Sequence, residues 1–197
     1  METYNDKLLK IKTTGRDDTN SDIFYFPYEP TPYSVLERLL SSGYFTKKNK
    51  LVDYGCGKGR VDFFLSYYTK CKSIGIEYDH RIYRTAMENM KTAVSSGRVS
   101  FEAVDAQEWN LPEDVDRCYF FNPFSVEILR KVLARVRESY YMRPREILLF
   151  FYYPSEDYMA YLNTLSDFEF YDEIDCQDLF PEKNNRERIV IFKTAGF

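Results

Sequence analysis

Between Lys50 and Lys193 short apolar runs alternate with longer amphipathic stretches, and this alternation restricts the fold more than any single motif. Lys50–Tyr54, Ser73–Glu77, Val99–Val104, Arg117–Phe121 and Glu146–Tyr152 are nearly continuous in apolar and aromatic residues. That is the pattern of strands covered on both faces. Gly59–Tyr68, His80–Ser95, Val126–Tyr140 and Glu156–Thr164 have helical spacing, and Asp79 stands at a capping position before the second of them. A strand–helix repeat builds a parallel sheet through right-handed crossovers. Two final strands, Phe168–Ile174 and Arg188–Lys193, have only the polar CQDLFPEKNNRE between them, which predicts a closing antiparallel hairpin. Upstream, Pro32 opens a helix that buries Val35, Leu36, Leu39 and Leu40 and ends by Gly43. Residues 1–22 are polar and read as a flexible arm, with one short helix at Asp6–Ile11; residues 23–197 then form a single domain.

Composition narrows the classes. A chain of 197 residues, 44% hydrophobic, supports one sizeable core. A net charge of −4 excludes a whole-surface electrostatic grip on nucleic acid, though not a local basic patch. Cys56, Cys71, Cys118 and Cys176 form no C-x-x-C, and a single His leaves no zinc site. The longest apolar run, Ile147–Tyr153, is too short to span a bilayer, and no signal peptide is evident. The expectation is a cytoplasmic protein with no membrane partner.

In an open α/β sheet, ligands bind beyond the carboxyl ends of the strands. The first strand delivers Asp53 and the loop Gly55, Gly57, Gly59 of LVDYGCGKGR. This is not a P-loop, because no hydroxyl residue follows Lys58, and the third glycine comes one residue early for a dinucleotide fingerprint. A carboxylate before the loop repels a pyrophosphate and suits an ammonium. The helix N-terminus behind the glycines suits a carboxylate. Glu77, ending the second strand, is placed for ribose hydroxyls. Asp105, after the third, accepts from an exocyclic amine. An amino acid, a ribose and an adenine together describe S-adenosylmethionine.

LVDYGCGKGR, IGIEYD, VDAQEW and FFNPF resemble successive motifs of the class I, Rossmann-like S-adenosylmethionine-dependent methyltransferases. The resemblance covers residues 28–193. It implies a three-layer αβα sandwich whose seven-stranded, mostly parallel sheet runs 3-2-1-4-5-7-6 with strand 7 antiparallel. It implies that Asp53, Gly55 and Gly57 bind the methionine part of the cofactor and Glu77 the ribose. Tyr78 then packs on the adenine, and Asp105 with Ala106 reads its amine edge. YEPTPYSVLERLL resembles a lid segment of amino-group methyltransferases, which adds Tyr28 and Thr31; a proline-started helix explains the same residues.

FFNPF resembles the Asp/Asn-Pro-Pro-Tyr/Phe motif of adenine-N6, cytosine-N4 and glutamine-N5 methyltransferases, which methylate amide or aniline-like nitrogen. Asn122 and the carbonyl of Asn122 or Pro123 would accept the hydrogens of the nitrogen, and Phe124 would stack on its planar group. The chain has one proline where the motif has two, and Asn-Pro also forms a plain turn. Tyr28-Glu29-x-Thr31, with an Asn ending the fourth strand, is more weakly similar to Rossmann-type histone lysine methyltransferases. The acceptor is then nucleic acid or a protein side chain. A small-molecule amine, or a non-catalytic cofactor-binding module, is the alternative. Two basic clusters, Arg130, Lys131, Arg135, Arg137, Arg143, Arg145 and Lys183, Arg186, Arg188, are candidate phosphate contacts or ordinary surface charge. Phe24, Tyr25, Phe26, Tyr28, Tyr33, Phe124, Tyr152 and Tyr153 are candidates for the mouth of the site or for core packing.

Overall fold

The strand at Leu148–Tyr152 (β5) shows how the sheet is built. Leu148, Phe150 and Tyr152 turn into one apolar layer, Leu149 and Phe151 into the other. A strand with two covered faces needs apolar residues at both parities, hence its unbroken run. The structure, a computed structural model, describes residues 2–196.

The other strands are β1 (Lys50–Tyr54), β2 (Lys72–Glu77), β3 (Val99–Ala103), β4 (Arg117–Phe120), β6 (Phe168–Asp175) and β7 (Arg188–Thr194). They form one sheet in the order β3-β2-β1-β4-β5-β7-β6. β1 to β5 are parallel, and β7 runs antiparallel to both β5 and β6. The order and the antiparallel seventh strand are those expected from sequence. One face carries α1 (Glu2–Leu9), α2 (Tyr33–Ser41), α3 (Arg60–Thr69) and α4 (His80–Met90). The other carries α5 (Val126–Met142) and α6 (Glu156–Leu162). The result is the three-layer αβα sandwich. Each fully buried Leu or Phe in these layers contributes about 1.5–3 kcal/mol.

Two differences from expectation have a visible physical cause: the end of α4, and the N-terminal segment, whose helix lies at Glu2–Leu9 rather than Asp6–Ile11. α4 begins at its predicted cap, where Asp79 accepts from Arg81 N at 2.8 Å, but stops at Met90 rather than Ser95. There Asn89 accepts from Lys12 N and donates to the Lys12 and Lys58 carbonyls, and Thr92 donates to Lys10 O. The chain leaves the helix to hold the N-terminal segment.

That segment is the second difference. The arm expected over residues 1–22 packs on the domain from α1 onward; its first residue lies outside the described residues. Leu9 and Ile11 are buried in the core. Asp6 accepts from Thr13 N, Thr13 Oγ1 and Tyr33 OH at 2.7, 2.7 and 2.5 Å. Polar composition concealed this, because the ordering comes from two apolar side chains and one carboxylate with three donors.

Candidate active site at the carboxyl edge of the sheet

The loop after β1 is pressed between two neighbours. Gly55 and Cys56 donate backbone N–H to Ile76 O at 2.9 and 3.0 Å. Gly55 and Gly57 sit at φ of 74° and 58°, in the left-handed region. A Cβ on Gly57 would lie 2.1 Å from the Tyr28 ring, and one on Gly55 would lie 2.5 Å from Pro123 Cβ. The glycines therefore admit residues of the N-terminal segment and of the β4 exit to the loop. Gly57 N donates to Glu77 Oε2 at 2.9 Å, and Asp79 N donates to Glu77 Oε1 at 2.8 Å. Burial raises the Glu77 pKa to about 7 against these bonds.

Asp53 is 3% exposed and lines a small cavity with Tyr28, Thr31, Gly55, Arg60 and Tyr119. Asp62 of α3 lies behind it and is fully buried. Burial first, and the Asp62 carboxyl second, push the Asp53 pKa well up. Thr31 is buried; its hydroxyl is 3.1 Å from Tyr119 OH and its carbonyl accepts from Arg60 Nη1 at 3.1 Å. The Arg60 guanidinium also donates to Thr13 Oγ1 at 2.7 Å and lies 4.3 Å over the Tyr33 ring. Arg60 thus ties the glycine loop to both ends of the segment that covers it.

A larger cavity extends from this loop past Glu77 and is lined by Tyr25, Tyr28, Tyr78 and Ala106. Here the N-terminal segment enters the site. The Tyr25 ring stacks on Tyr78 with centroids 4.3 Å apart and planes 8° from parallel. Its hydroxyl donates to Asp105 Oδ2 at 2.6 Å, and Gln107 Nε2 donates to the same oxygen at 2.6 Å. Asp105 is therefore turned toward Tyr25 and Gln107, while its neighbour Ala106 faces the cavity. Asn20, which donates to Asp79 Oδ2 at 2.9 Å, closes the same rim.

FFNPF forms the partition between this cavity and another. Asn122 lines the second cavity, while Pro123 and Phe124 line the first. Asn122 adopts φ of 43°, and its Oδ1 is buried with no hydrogen-bond partner among the described residues. Pro123 O accepts from Phe26 N at 3.1 Å. Phe124 does not face the second cavity as expected. It is 2% exposed and packs edge-on to Phe120, with its carbonyl accepting from Tyr158 OH at 2.6 Å. Phe26, Phe121, Tyr152, Tyr153 and Phe180 wall the second cavity, with Arg16, Glu29, Arg186 and Glu187 beside them. Phe26, Pro27, Glu29 and Phe121 line both cavities.

No protein-family model matches the chain. Among solved structures it is similar to the RNA methyltransferase from Salinibacter ruber in complex with S-adenosyl-L-homocysteine. The TM-score is 0.58 at 17% identity, over 86% of this chain and 95% of that one. It is also similar to the precorrin-6y C5,15-methyltransferase from Geobacter metallireducens GS-15, with a TM-score of 0.59 at 17% identity, over 85% and 90%. The chain has the class I methyltransferase fold. In sequence, the protein-lysine N-methyltransferase of Saccharolobus islandicus (strain REY15A) is 30% identical over 77 residues. That match spans 39% of this chain and 48% of the relative, so the chain covers about half of that protein's length.

Several features around this methyltransferase fold carried no signal in the sequence. Arg60 lines the cavity with Asp53, and Asp6 and Thr13 hold the N-terminal segment to it; nothing in their spacing singles them out. Conversely, the basic clusters prominent in the sequence are mostly engaged locally. Arg137 pairs with Asp167 at 2.5 Å, Arg188 with Glu173 at 3.0 Å and Arg135 with Glu138 at 3.4 Å. Arg145 binds the Val115 and Pro112 carbonyls, and Arg186 lies 4.1 Å over Tyr153. Of the aromatic group, Tyr33 is core and Phe24 is exposed; the others line one cavity or both. No helix of the described residues is long and apolar enough to cross a membrane.

Proposed function

We propose that the chain is an S-adenosylmethionine-dependent N-methyltransferase whose acceptor is an amino group of a protein. The observation that carries this reading is Asn122 Oδ1, a buried acceptor without a partner at the partition between two cavities. Leaving such a group unpaired costs about 1–3 kcal/mol, which an incoming N–H would recover.

The residues of the first cavity fit the cofactor. The lack of a side chain at Gly57 lets the Tyr28 ring close over the loop, and the loop lies on the rim of the cavity through Gly55. Asp53 matches an ammonium, and Glu77 keeps acceptor capacity for hydroxyls beside its bonds from Gly57 and Asp79. Ala106 offers an edge for the base beside the stacked Tyr25–Tyr78 pair, with Asp105 holding Tyr25. Tyr28 and Thr31 close the methionine end. When bound, S-adenosylmethionine supplies a methyl group on a sulfonium, which an amine nitrogen can attack directly.

On the acceptor side the chain needs to orient a nitrogen and deprive it of water. Asn122 Oδ1 accepts one N–H, and the second lone pair of Pro123 O can accept another. The Phe26, Phe121 and Tyr152 walls favour an aliphatic stem, and Glu29 and Glu187 beside them suit its amine end. Positioning then supplies most of the rate. The protein-lysine relative supports a protein acceptor.

The test is transfer from cofactor labelled in its methyl group to a cell extract, followed by protease or nuclease. Label released by protease and resistant to nuclease is expected. Release by nuclease alone overturns the protein acceptor, and label found only in small solutes overturns a macromolecular one. Cofactor binding without any transfer would make the chain a binding module, and no binding would sink the reading as a whole.

A further inference from the structure

Two non-glycine residues at the carboxyl edge take a left-handed backbone, Asn122 after β4 and Tyr153 after β5, and both line the second cavity. Asparagine tolerates that conformation; a tyrosine at φ of 52° is rarer. Such a geometry persists only where the surroundings over-determine it, and it gathers where a side chain has to be aimed. Here the β6–β7 connection and the start of β7 do the holding. Tyr153 N donates to Arg188 O at 3.0 Å, and Asn184 Nδ2 donates to Tyr153 OH at 2.7 Å. Arg186 donates to the Tyr153 and Pro154 carbonyls, both at 3.2 Å, with its guanidinium 4.1 Å over the Tyr153 ring. Tied to two carbonyls, Arg186 belongs to the wall.

The clamped ring forms a corner with its neighbour. Phe121 stands at 83° to Tyr153 with centroids 6.4 Å apart, and leans on Tyr152 at 4.7 Å and 50°. Tyr152 OH donates to Glu187 Oε2 at 2.6 Å, which fixes that carboxylate beside the corner. Glu29 is paired with Arg16 at 3.5 Å, whereas no ion pair reaches Glu187 among the described residues. Ring faces attract a cation and tolerate its methyl groups, and a fixed carboxylate supplies the opposite charge. A bare ammonium needs acceptors for three N–H groups; the side chain of Asn122 offers it one. The cavity, of about 510 Å³, has room for methyl groups as well as a stem.

We infer that Phe121, Tyr153 and Glu187 hold a methylated ammonium, so that one acceptor nitrogen receives more than one methyl group. This rests on the amine-acceptor reading given above. In each round an N–C bond forms as the C–S bond of the donor breaks, S-adenosylhomocysteine leaves, and the nitrogen takes the positive charge. It loses one N–H proton to solvent before it attacks again. A trimethylated nitrogen has no proton to lose, and the series ends there.

The first test is calorimetry on the full chain without cofactor. The probes are Nα-acetyl-trimethyllysine amide and its uncharged isostere, with a quaternary carbon in place of the nitrogen. The wild type should prefer the cation by about fivefold or more. Tyr153→Phe keeps the ring and should keep the preference. Tyr153→Leu and Glu187→Gln should each lose most of it, and the second keeps the test open if the first does not fold. Equal affinity for the two probes, or binding of neither, would overturn the proposal. The second test reads products. Methyl-labelled cofactor is given with cell extract, the protein fraction is hydrolysed in acid, and the methylated lysines are separated. Label in dimethyl- and trimethyllysine is expected, and Tyr153→Leu should shift it toward the monomethyl form. Monomethyllysine alone would overturn the proposal and leave the amine-acceptor reading intact; label on nucleic acid would overturn that reading instead.

Discussion

The Tyr25 hydroxyl donates to Asp105 Oδ2 at 2.6 Å across a sequence separation of 80 residues, while its ring lies flat on Tyr78. One side chain of the N-terminal segment thus joins the ends of β2 and β3. It works there as a roof, with Asp105 as its anchor. Tyr25→Ala should weaken S-adenosylhomocysteine binding by about tenfold, the size of one aromatic stacking contact. Tyr25→Phe should lose less, because the ring remains. In an Asp105→Ala background Tyr25→Phe should cost nothing further. Calorimetry on the four proteins closes the cycle; additive losses would mean that Asp105 contacts the ligand independently of Tyr25.

Asn122 is expected to separate binding from transfer. Asn122→Ala should keep wild-type affinity for S-adenosylhomocysteine and lose on the order of 100-fold in kcat, as expected for one preorganised group at the reacting atom. The readout is single-turnover methyl transfer alongside calorimetry. Retained turnover would reduce FFNPF to a turn at the end of β4.

Glu77 gives a pH signature of known sign. Its carboxyl has an ordinary value of 4.5 and is raised to about 7 in the fold, mainly by burial. Between those values the folded state holds a proton that the unfolded chain has released. The stabilisation is therefore complete below pH 4.5, falls as the pH rises to 7, and changes no further above it. From pH 5 to 8 the wild type should lose about 2–3 kcal/mol more than Glu77→Gln, at 1.36 kcal/mol per pH unit. Urea titrations of both proteins across that range would show it. Glu77 also acts on the Asp53 carboxyl, so part of the difference reports Asp53.

Asp6 should hold the N-terminal segment. Asp6→Ala leaves Thr13 N, Thr13 Oγ1 and Tyr33 OH without their acceptor, at about 3 kcal/mol or more if all three stay buried. It also loosens Thr13, to which Arg60 Nε donates. Lower stability in denaturant together with weaker S-adenosylhomocysteine binding is the expected pair of results. Loss of stability alone would separate α1 from the site.

Much of the sheet was legible from the chain itself. A strand such as LLFFY must be buried on both faces, and strands joined by helices must run parallel. A polar link too short for a crossover forces β6 and β7 to be antiparallel. Backbone geometry made Gly55 and Gly57 readable, since only glycine accepts their φ at such close approach. That Asp53 and Glu77 lie at one edge of the sheet was readable because parallel strands end on the same side. The tertiary structure alone decided what lies over and behind that edge. The segment up to Asp22 is polar enough to pass for an arm, yet Leu9, Ile11 and the donors around Asp6 dock it, and the chain that follows brings Tyr25 and Tyr28 to the cavity. The order of residues in FFNPF could not reveal that a left-handed Asn122 turns its side chain into one cavity while Pro123 and Phe124 face the other. Local periodicity and covalent geometry determine the sheet; long-range packing of short polar segments determines the site.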